Sequence, residues 1–396
     1  LLCYGCLYFL VLLELGHLNR DWSAAARAVP AAGGAGAARM WAWQAHAWGA
    51  GELRLERLRE PTLRRADHLL VRVTAAALNP LDAAMLRGYG DTLLSLRRRL
   101  APDAPPAPPL VPGRDAAGVV ERAGPAARLR PGARVWLATP PHAPGTLAQR
   151  VVVRDAWAGP APGALDALQA GGALYAGLTA AAALRASVGR RLLLLGLGGV
   201  GQAALQLAVA AGADVTVSCA GDARDLALEL GARDVLDYRA DDYNQRLAAA
   251  GKWDSVVDCA GRGGWEAAAR PWRFSRFVTL TTPLLAETDA RGAAAGGAAA
   301  AAALAAQCAA AARAQPACLP PPLVCWAFFS TSPADIERLR RLAEAGKVRV
   351  LFLRCYVGYL PNFIKIHPNL FLWIEEHTST FLGYLRSLMA VCTNVT

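Results

Sequence analysis

No cysteine occurs between Cys6 and Cys219, and only 9 occur in the 396 residues. The gap excludes a disulfide framework, and Cys259, Cys308, Cys318 and Cys325 show no repeating metal-ligand spacing. Cys3 and Cys6 are close, but no second pair lies near them. A reducing compartment with mostly buried thiols is the reading. Lysine is scarce as well. The formal charge of +11 rests on arginines scattered among alanines, with one short cluster at Arg97-Arg98-Arg99. Without a basic run interleaved with aromatics, no nucleic-acid site is expected. Long apolar runs are also missing. The segment "LLCYGCLYFLVLL" has the length of a signal h-region and is short for a membrane span. The chain starts at Leu1 and not at Met, so either an incomplete chain or an uncertain gene start is expected. Residues 1–39 are acid-poor and rich in Ala and Arg, which suits a matrix-targeting segment or a linker of biased composition.

What is present falls into two patterns. Over 40–163 short apolar runs alternate with turn signals, as in "HLLVRVTAAAL" (68–78) and "AAGVVERAG" (116–124), so a β-rich domain is expected. The proline-rich "LAPDAPPAPPLVPG" (100–113) reads as a surface loop. Over 164–320, Ala-rich helical stretches alternate with "RLLLLG", "DVTVSC", "DSVVDC" and "RFVTLTT". Strands alternating with helices imply a doubly wound parallel sheet, so the class is α/β. Residues 290–315 are low-complexity, and an almost all-Ala stripe buries little. Residues 321–350 read as a return to the first domain, and 351–396 as an apolar, aromatic tail without clear period.

Gly196-Leu197-Gly198-Gly199-Val200-Gly201 follows a four-leucine strand and opens a helix. In that setting G-x-G-x-x-G points to a dinucleotide. Gly196 permits the sharp turn, Gly198 lets the backbone approach a pyrophosphate, and Gly201 lets helix and strand pack closely. NAD binders usually place an acid at the end of the next strand, and here Ser218, Cys219 and Ala220 stand there. The missing carboxylate leaves room for a 2′-phosphate, so NADPH is favoured over NADH, with Arg224 as its candidate partner or as an ordinary surface arginine. Asn79-Pro80-Leu81-Asp82 suits a helix start, with Asn79 as cap or as a hydrogen-bonding group for substrate or cofactor.

In order, Asn79-Pro80-Leu81-Asp82, "RGYG" (87–90), "PGRDAAGVV" (112–120), "RPGARVW" (130–136) and "GTLAQRVVV" (145–153) precede the glycine turn. As a set they resemble the zinc-free quinone reductase branch of the medium-chain dehydrogenase/reductase superfamily. "VWLATPPHAPGTL", "LGARDVLDYRADD", "FVTLTTPLL" and "CWAFFSTSP" bring the likeness closer to its mitochondrial NADPH oxidoreductases, over roughly 40–350. The resemblance implies a GroES-like catalytic domain before a Rossmann domain, a quinone or conjugated-carbonyl acceptor, NADPH and no metal. It also implies a mitochondrial location (matrix or outer membrane), a link to coenzyme Q synthesis and a reticulon partner. Zinc alcohol dehydrogenases carry a ligand cysteine near Asn79 and Gly-His-Glu where this chain has Gly113-Arg114-Asp115. The converging ligands that zinc needs are therefore absent.

Carried over by position, the resemblance puts Gly198, Gly199, Val200 and Gly201 on the phosphates and Tyr238 beside the adenosine phosphate. Leu280, Ala327 and Phe329 fall near the nicotinamide, and Cys259 stands where the family has an asparagine. A serine of the family is replaced by Ala220, and the family's glycine turn is one residue longer. Tyr89 is the candidate donor to the acceptor's developing oxyanion, or else an ordinary wall residue. The family's basic C-terminal motif and closing strands have no counterpart after Val350. An unpaired sheet edge, weak NADPH binding, slow turnover and association between copies or with membranes are expected from that loss. An enoyl-thioester reductase, or a catalytically weak nucleotide-binding and reticulon-interacting module, remain the alternatives.

Overall fold

The computed structural model describes residues 38–350 apart from 50–52, 102–103 and 106, together with the backbone of Tyr356–Gly358. Nearly all of the N-terminal segment 1–39 and the rest of the tail lie outside the described residues. The chain divides into two compact units, one from Ala28–Tyr175 with Thr331 onward, the other over Ala176–Ser330.

In the first unit β1 (Arg39–Gln44) and β2 (Arg54–Arg59) form an antiparallel pair. A separate antiparallel sheet joins β3 (His68–Ala77), β4 (Asp115–Ala123), β5 (Arg134–Ala138), β6 (Arg150–Arg154) and β7 (Ala158–Pro160). Period-two alternation makes these strands amphipathic: Val151 and Val153 enter the core while Arg150 and Arg154 flank it. Leu69, Val71, Val120, Val135 and Leu137 complete that core. Between β3 and β4 lie α1 (Pro80–Leu86) and α2 (Asp91–Leu100). Met85, Leu86 and Leu94 of these helices pack with Trp43, Leu110 and Leu147 in a second apolar cluster. The proline-rich segment is therefore not all surface loop. Leu110 turns inward and bridges Ala45, and Pro112 and Gly113 are buried.

The long α3 (Ala167–Ala186) leads into the second unit. There β8 (Arg191–Leu195), α4 (Gly199–Ala210), β9 (Asp214–Cys219), α5 (Arg224–Glu229), β10 (Asp234–Asp237), α6 (Tyr243–Ala249), β11 (Lys252–Asp258) and β12 (Arg273–Thr279) alternate. Then come α7 (Leu284–Arg291), α8 (Ala293–Ala314) and β13 (Leu323–Trp326). All six strands are parallel, in the order β10-β9-β8-β11-β12-β13. This doubly wound order reverses direction between β8 and β11, and ligands of such sheets bind at the carboxyl ends beside that point. The core is aromatic at its centre, with Trp272, Phe274 and Phe277 at centroid spacings of 5.8 to 6.0 Å. The alanine-rich stretch forms α8, which buries Gly296, Gly297, Ala300, Gln307 and Ala311. By length and composition α3 and α8 are each long and apolar enough to cross a membrane. Gln307 nevertheless accepts a hydrogen bond from the Trp326 indole at 3.3 Å, so one face of α8 is engaged by the sheet.

Both boundaries of the second unit differ from the sequence reading: it begins at Ala176, inside α3, and not at 164, and it runs to Ser330 and not to 320. β13 lies past residue 320 and completes the parallel sheet, so 321–326 belong with that sheet and not with the return segment. The return is instead made by α9 (Pro333–Glu344), capped by Ser332 and buried through Ile336, Leu339 and Ala343. Beyond it β14 (Tyr356–Gly358) pairs antiparallel with Ala75–Ala77 of β3. The edge expected to stay unpaired after Val350 is thus covered there, beside the stretch of β3 that pairs with β6. Backbone pairing needs no particular side chains, which is why a divergent tail still supplies a strand.

Candidate functional site

The glycine turn joins β8 to α4 at the reversal point of the sheet. Gly196 has φ of +88°, a conformation side chains resist, and its N–H donates to the Ser218 carbonyl at 2.8 Å. A Cβ on Gly201 would lie 2.2 Å from the Gly196 carbonyl oxygen, so the helix approaches the strand only with glycine there. Gly198 caps α4 in extended conformation, and a Cβ on Gly198 or Gly199 would meet nothing within 4 Å. The turn is tight from inside and open from outside. Gly199 begins the helix, and Val200 follows it in the first turn. Such an N-terminus presents unpaired N–H groups and the positive end of the helix dipole, which suits a diphosphate. Gln202 fastens the turn by donating from Nε2 to the Leu197 carbonyl at 3.0 Å.

At the end of β9 the Ser218 hydroxyl is spent on Tyr243, at 2.8 Å and buried. Burial, with Asp237 and Asp222 nearby, pushes the Cys219 thiol up to about 11. Arg224 turns back to donate to the Val235 carbonyl at 3.1 Å. Tyr238, just past β10, is 41% exposed, and its N–H donates to the Cys219 carbonyl at 3.2 Å.

Past β11 the chain is organised by Asp258, whose side chain is fully buried. Its carboxylate accepts from the N–H groups of Ala260, Arg262 and Gly263 and from the Thr279 hydroxyl, at 2.8 to 3.1 Å. This holds the loop against the glycine turn, where Ala260 lies 3.0 Å from the place of a Cβ on Gly196. The Cys259 N–H donates to the Leu195 carbonyl at 3.0 Å. Burial, then Asp258, pushes the Cys259 thiol up to about 12, so it stays a neutral thiol. Leu280 follows β12 and Ala327 follows β13, joined by the Ala327 N–H to the Thr279 carbonyl at 2.9 Å. Phe329 lies two residues further, half-buried. The fold thus gathers every candidate of this unit at the carboxyl ends of the strands.

Asn79, Tyr89 and Arg114 belong to the other unit. Asn79 is the extended cap of α1, with Pro80 at its first turn, as the sequence suggests. Asp82 reaches back to accept the Asn79 N–H at 2.8 Å, while the Asn79 Nδ2 is buried with no partner. Tyr89 is half-buried between Gly88 and Gly90, whose φ values of +89° and +80° fold the chain tightly around it. Arg114 is 0% exposed. It pairs with Asp82 at 3.3 Å and donates to the carbonyls of Val111, Pro140, Pro141 and Ala143 at 2.8 to 3.3 Å. Asp82 also accepts from the Gly113 N–H at 2.8 Å. Beside them Asp115, fully buried, accepts the Tyr175 N–H at 3.1 Å with one oxygen, and its other oxygen has no partner. Burial holds that carboxyl well above the usual range. Among the described residues no three His, Cys, Asp or Glu side chains form a group able to hold a metal ion.

The sequence reading passed over Asp258, Gln202 and the acceptor cage of Arg114. An acid ending an apolar strand, in "SVVDC", was the available sign of Asp258. The cage is made by carbonyls, which leave no sign in side-chain identity.

Residues 65–163 match the alcohol dehydrogenase GroES-like domain, and residues 199–270 match the zinc-binding dehydrogenase family. The chain is 34% identical over 379 residues to the mitochondrial NAD(P)H oxidoreductase RTN4IP1 of Drosophila melanogaster, covering 88% of this chain and 90% of that relative. It is 30% identical over 303 residues to the mitochondrial reticulon-4-interacting protein 1 of Caenorhabditis elegans, covering 73% and 81%. The quinone oxidoreductase structure from Coxiella burnetii shares the fold, with a TM-score of 0.61 and 23% identity over 79% of this chain and 90% of that one. The chain therefore belongs to the RTN4IP1 family of NAD(P)H oxidoreductases, within the medium-chain dehydrogenase/reductase superfamily.

Proposed function

We propose that the chain reduces a quinone or a related conjugated carbonyl with NADPH and without a metal. The observation that carries this reading is the glycine turn, closed against the protein at Gly201 and open beyond Gly198 and Gly199. The N–H groups at Gly199, Val200 and Gly201 bind the diphosphate. The loop at Cys259 and the strand ends at Leu280, Ala327 and Phe329 flank the nicotinamide half, and Tyr238 lies at the adenosine half. Ser218, Cys219 and Ala220 offer no carboxylate to hold a 2′-hydroxyl, which favours the phosphorylated cofactor. Bound there, the nicotinamide supplies a hydride to an electron-poor carbon of the acceptor. Negative charge then gathers on the acceptor oxygen. The Tyr89 hydroxyl donates to that oxygen, and the spare N–H of the Asn79 amide helps to orient it.

A catalytic zinc does not fit. Arg114 is a fixed cation among carbonyls, its one carboxylate partner is committed to it, and Asn79 is no anionic ligand. No step is assigned to a metal. A mitochondrial location and a reticulon partner are supported by the names of the relatives, and a link to coenzyme Q synthesis is carried over from the family resemblance alone. The test compares acceptors and one substitution. Tyr89→Phe is expected to lower quinone turnover by roughly ten- to a thousandfold with NADPH affinity unchanged. Wild-type turnover in Tyr89→Phe contradicts the donor role. Reduction of a 2-enoyl thioester in preference to quinone favours the enoyl reductase alternative.

A further inference from the structure

Two arginines converge on one tyrosine at the adenosine end of the parallel sheet. The guanidinium of Arg239 lies 5.5 Å from the Tyr238 ring centroid, and that of Arg262 lies 5.9 Å from it. They arrive from different elements: Arg239 follows β10 and Arg262 leaves the loop beyond β11. Both are exposed, and neither forms an ion pair among the described residues. Their placement is set from below. The Tyr238 N–H is tied to the Cys219 carbonyl, and the Arg262 N–H is held by buried Asp258 at 3.1 Å. Two like charges gathered at one ring repel each other, and an anion between them relieves that repulsion.

We propose that Arg262, together with Arg239 over Tyr238, reads the 2′-phosphate of NADPH. This rests on the NADPH reading above and names the residues that enforce it. Arg224, the arginine suggested by the sequence, is drawn aside by the Val235 carbonyl. Ala220 has no hydroxyl to give. Arg239 alone is a poor reader, because Asp222 and Asp237 sit close to it and oppose an anion. Arg262 brings a second guanidinium from the opposite side of the strand ends, and its charge offsets those carboxylates. A guanidinium suits a phosphate monoester because it donates in a planar fork, and the ring holds that fork in place. The same loop carries Cys259 against the glycine turn, so one loop would touch both ends of the cofactor.

The experiment is calorimetric titration of the full chain with adenosine 2′,5′-bisphosphate and with 5′-ADP. Wild type is expected to bind the 2′,5′-bisphosphate more tightly. Arg262→Ala should weaken that ligand by about tenfold and leave 5′-ADP unchanged, as expected for losing one exposed charge-assisted contact. Arg262→Lys should recover part of the loss, and Arg224→Ala should lose less than Arg262→Ala. The guanidinium of Arg262 is exposed, so the melting temperature of Arg262→Ala should match wild type and separate binding from folding. Equal affinity of wild type for the two ligands contradicts the NADPH reading itself. A wild-type preference that survives Arg262→Ala overturns the role of Arg262 and leaves the NADPH reading standing.

Discussion

Arg114→Met isolates what the buried guanidinium does. Methionine keeps an unbranched chain of similar reach but removes every donor. In wild type that guanidinium serves Asp82 and four carbonyls, with the bonds to Asp82 and Ala143 buried and those to Val111, Pro140 and Pro141 partly buried. After the change the Asp82 carboxyl keeps only the N–H groups of Asn79 and Gly113. Breaking one partner out of a buried pair costs about 3–5 kcal/mol. Protonation of Asp82, which burial already favours, caps its part of the loss. The Ala143 carbonyl then dominates, since it strands a buried acceptor at about 1–3 kcal/mol, with a smaller share from the partly buried Val111 carbonyl. Together the two routes bracket a loss of about 2–5 kcal/mol, or about 4–20 °C in melting temperature for a unit of this size. Circular dichroism melting, with hydrogen exchange at β4 to identify the unit, reads the effect. Asp82→Asn on top of Arg114→Met should cost little more, because the pair is already broken. A loss below about 1 kcal/mol would refute the view that Arg114 is the staple of this site.

The glycine turn predicts a contrast. Gly198→Asp, with nothing within 4 Å of its new Cβ, should fold normally and lose NADPH binding, whereas Gly201→Ala should lower the melting temperature because its Cβ meets the Gly196 carbonyl at 2.2 Å. Ligand titration and melting of both variants check this, and normal NADPH binding by Gly198→Asp would move the cofactor elsewhere. His142 is pushed down to about 4 from 6.5 by burial and by the charges of Arg97, Arg98, Arg154 and Arg114. The unfolded chain therefore binds the extra proton first, so the stability tied to neutral His142 is present above pH 6.5 and is lost as pH falls through about 4. His142→Gln should flatten the melting-temperature slope across that window, and an unchanged slope contradicts the assignment.

The legible parts were those in which side chains carry the constraint. Four leucines before a glycine turn can hardly be anything but a buried parallel strand, and β8, β9, β11 and β12 fall where their apolar runs lie. β10 and β13 are not legible as strands because each has four residues, too few for a period. They are the two edges of the sheet, with a partner on one side only. Their motifs, "DVLDY" and "CWAFF", carry a family likeness but no strand period. Asn79 as helix cap and the roles of Gly196 and Gly201 were readable from steric rules. What converges across distant segments was not. Arg262 meets Tyr238 only because β11 and β10 end at the same level of one sheet. Arg224 suits a phosphate by its place in the sequence, and the sequence does not reveal that one of its guanidinium nitrogens donates to the Val235 carbonyl. The tail, read as leaving an edge bare, supplies β14 through backbone groups that composition does not reveal.

The central claim is metal-independent hydride transfer from NADPH to a quinone. It is tested most directly by a single-turnover experiment with the protein in excess, a chelator present, and a short-chain quinone added to the NADPH-loaded protein. The account predicts that NADPH is consumed one-for-one with quinone, faster than in buffer alone, and that NADH at equal concentration is consumed more slowly. NADPH oxidation no faster than in buffer, or oxidation that appears only when zinc is restored, would contradict it.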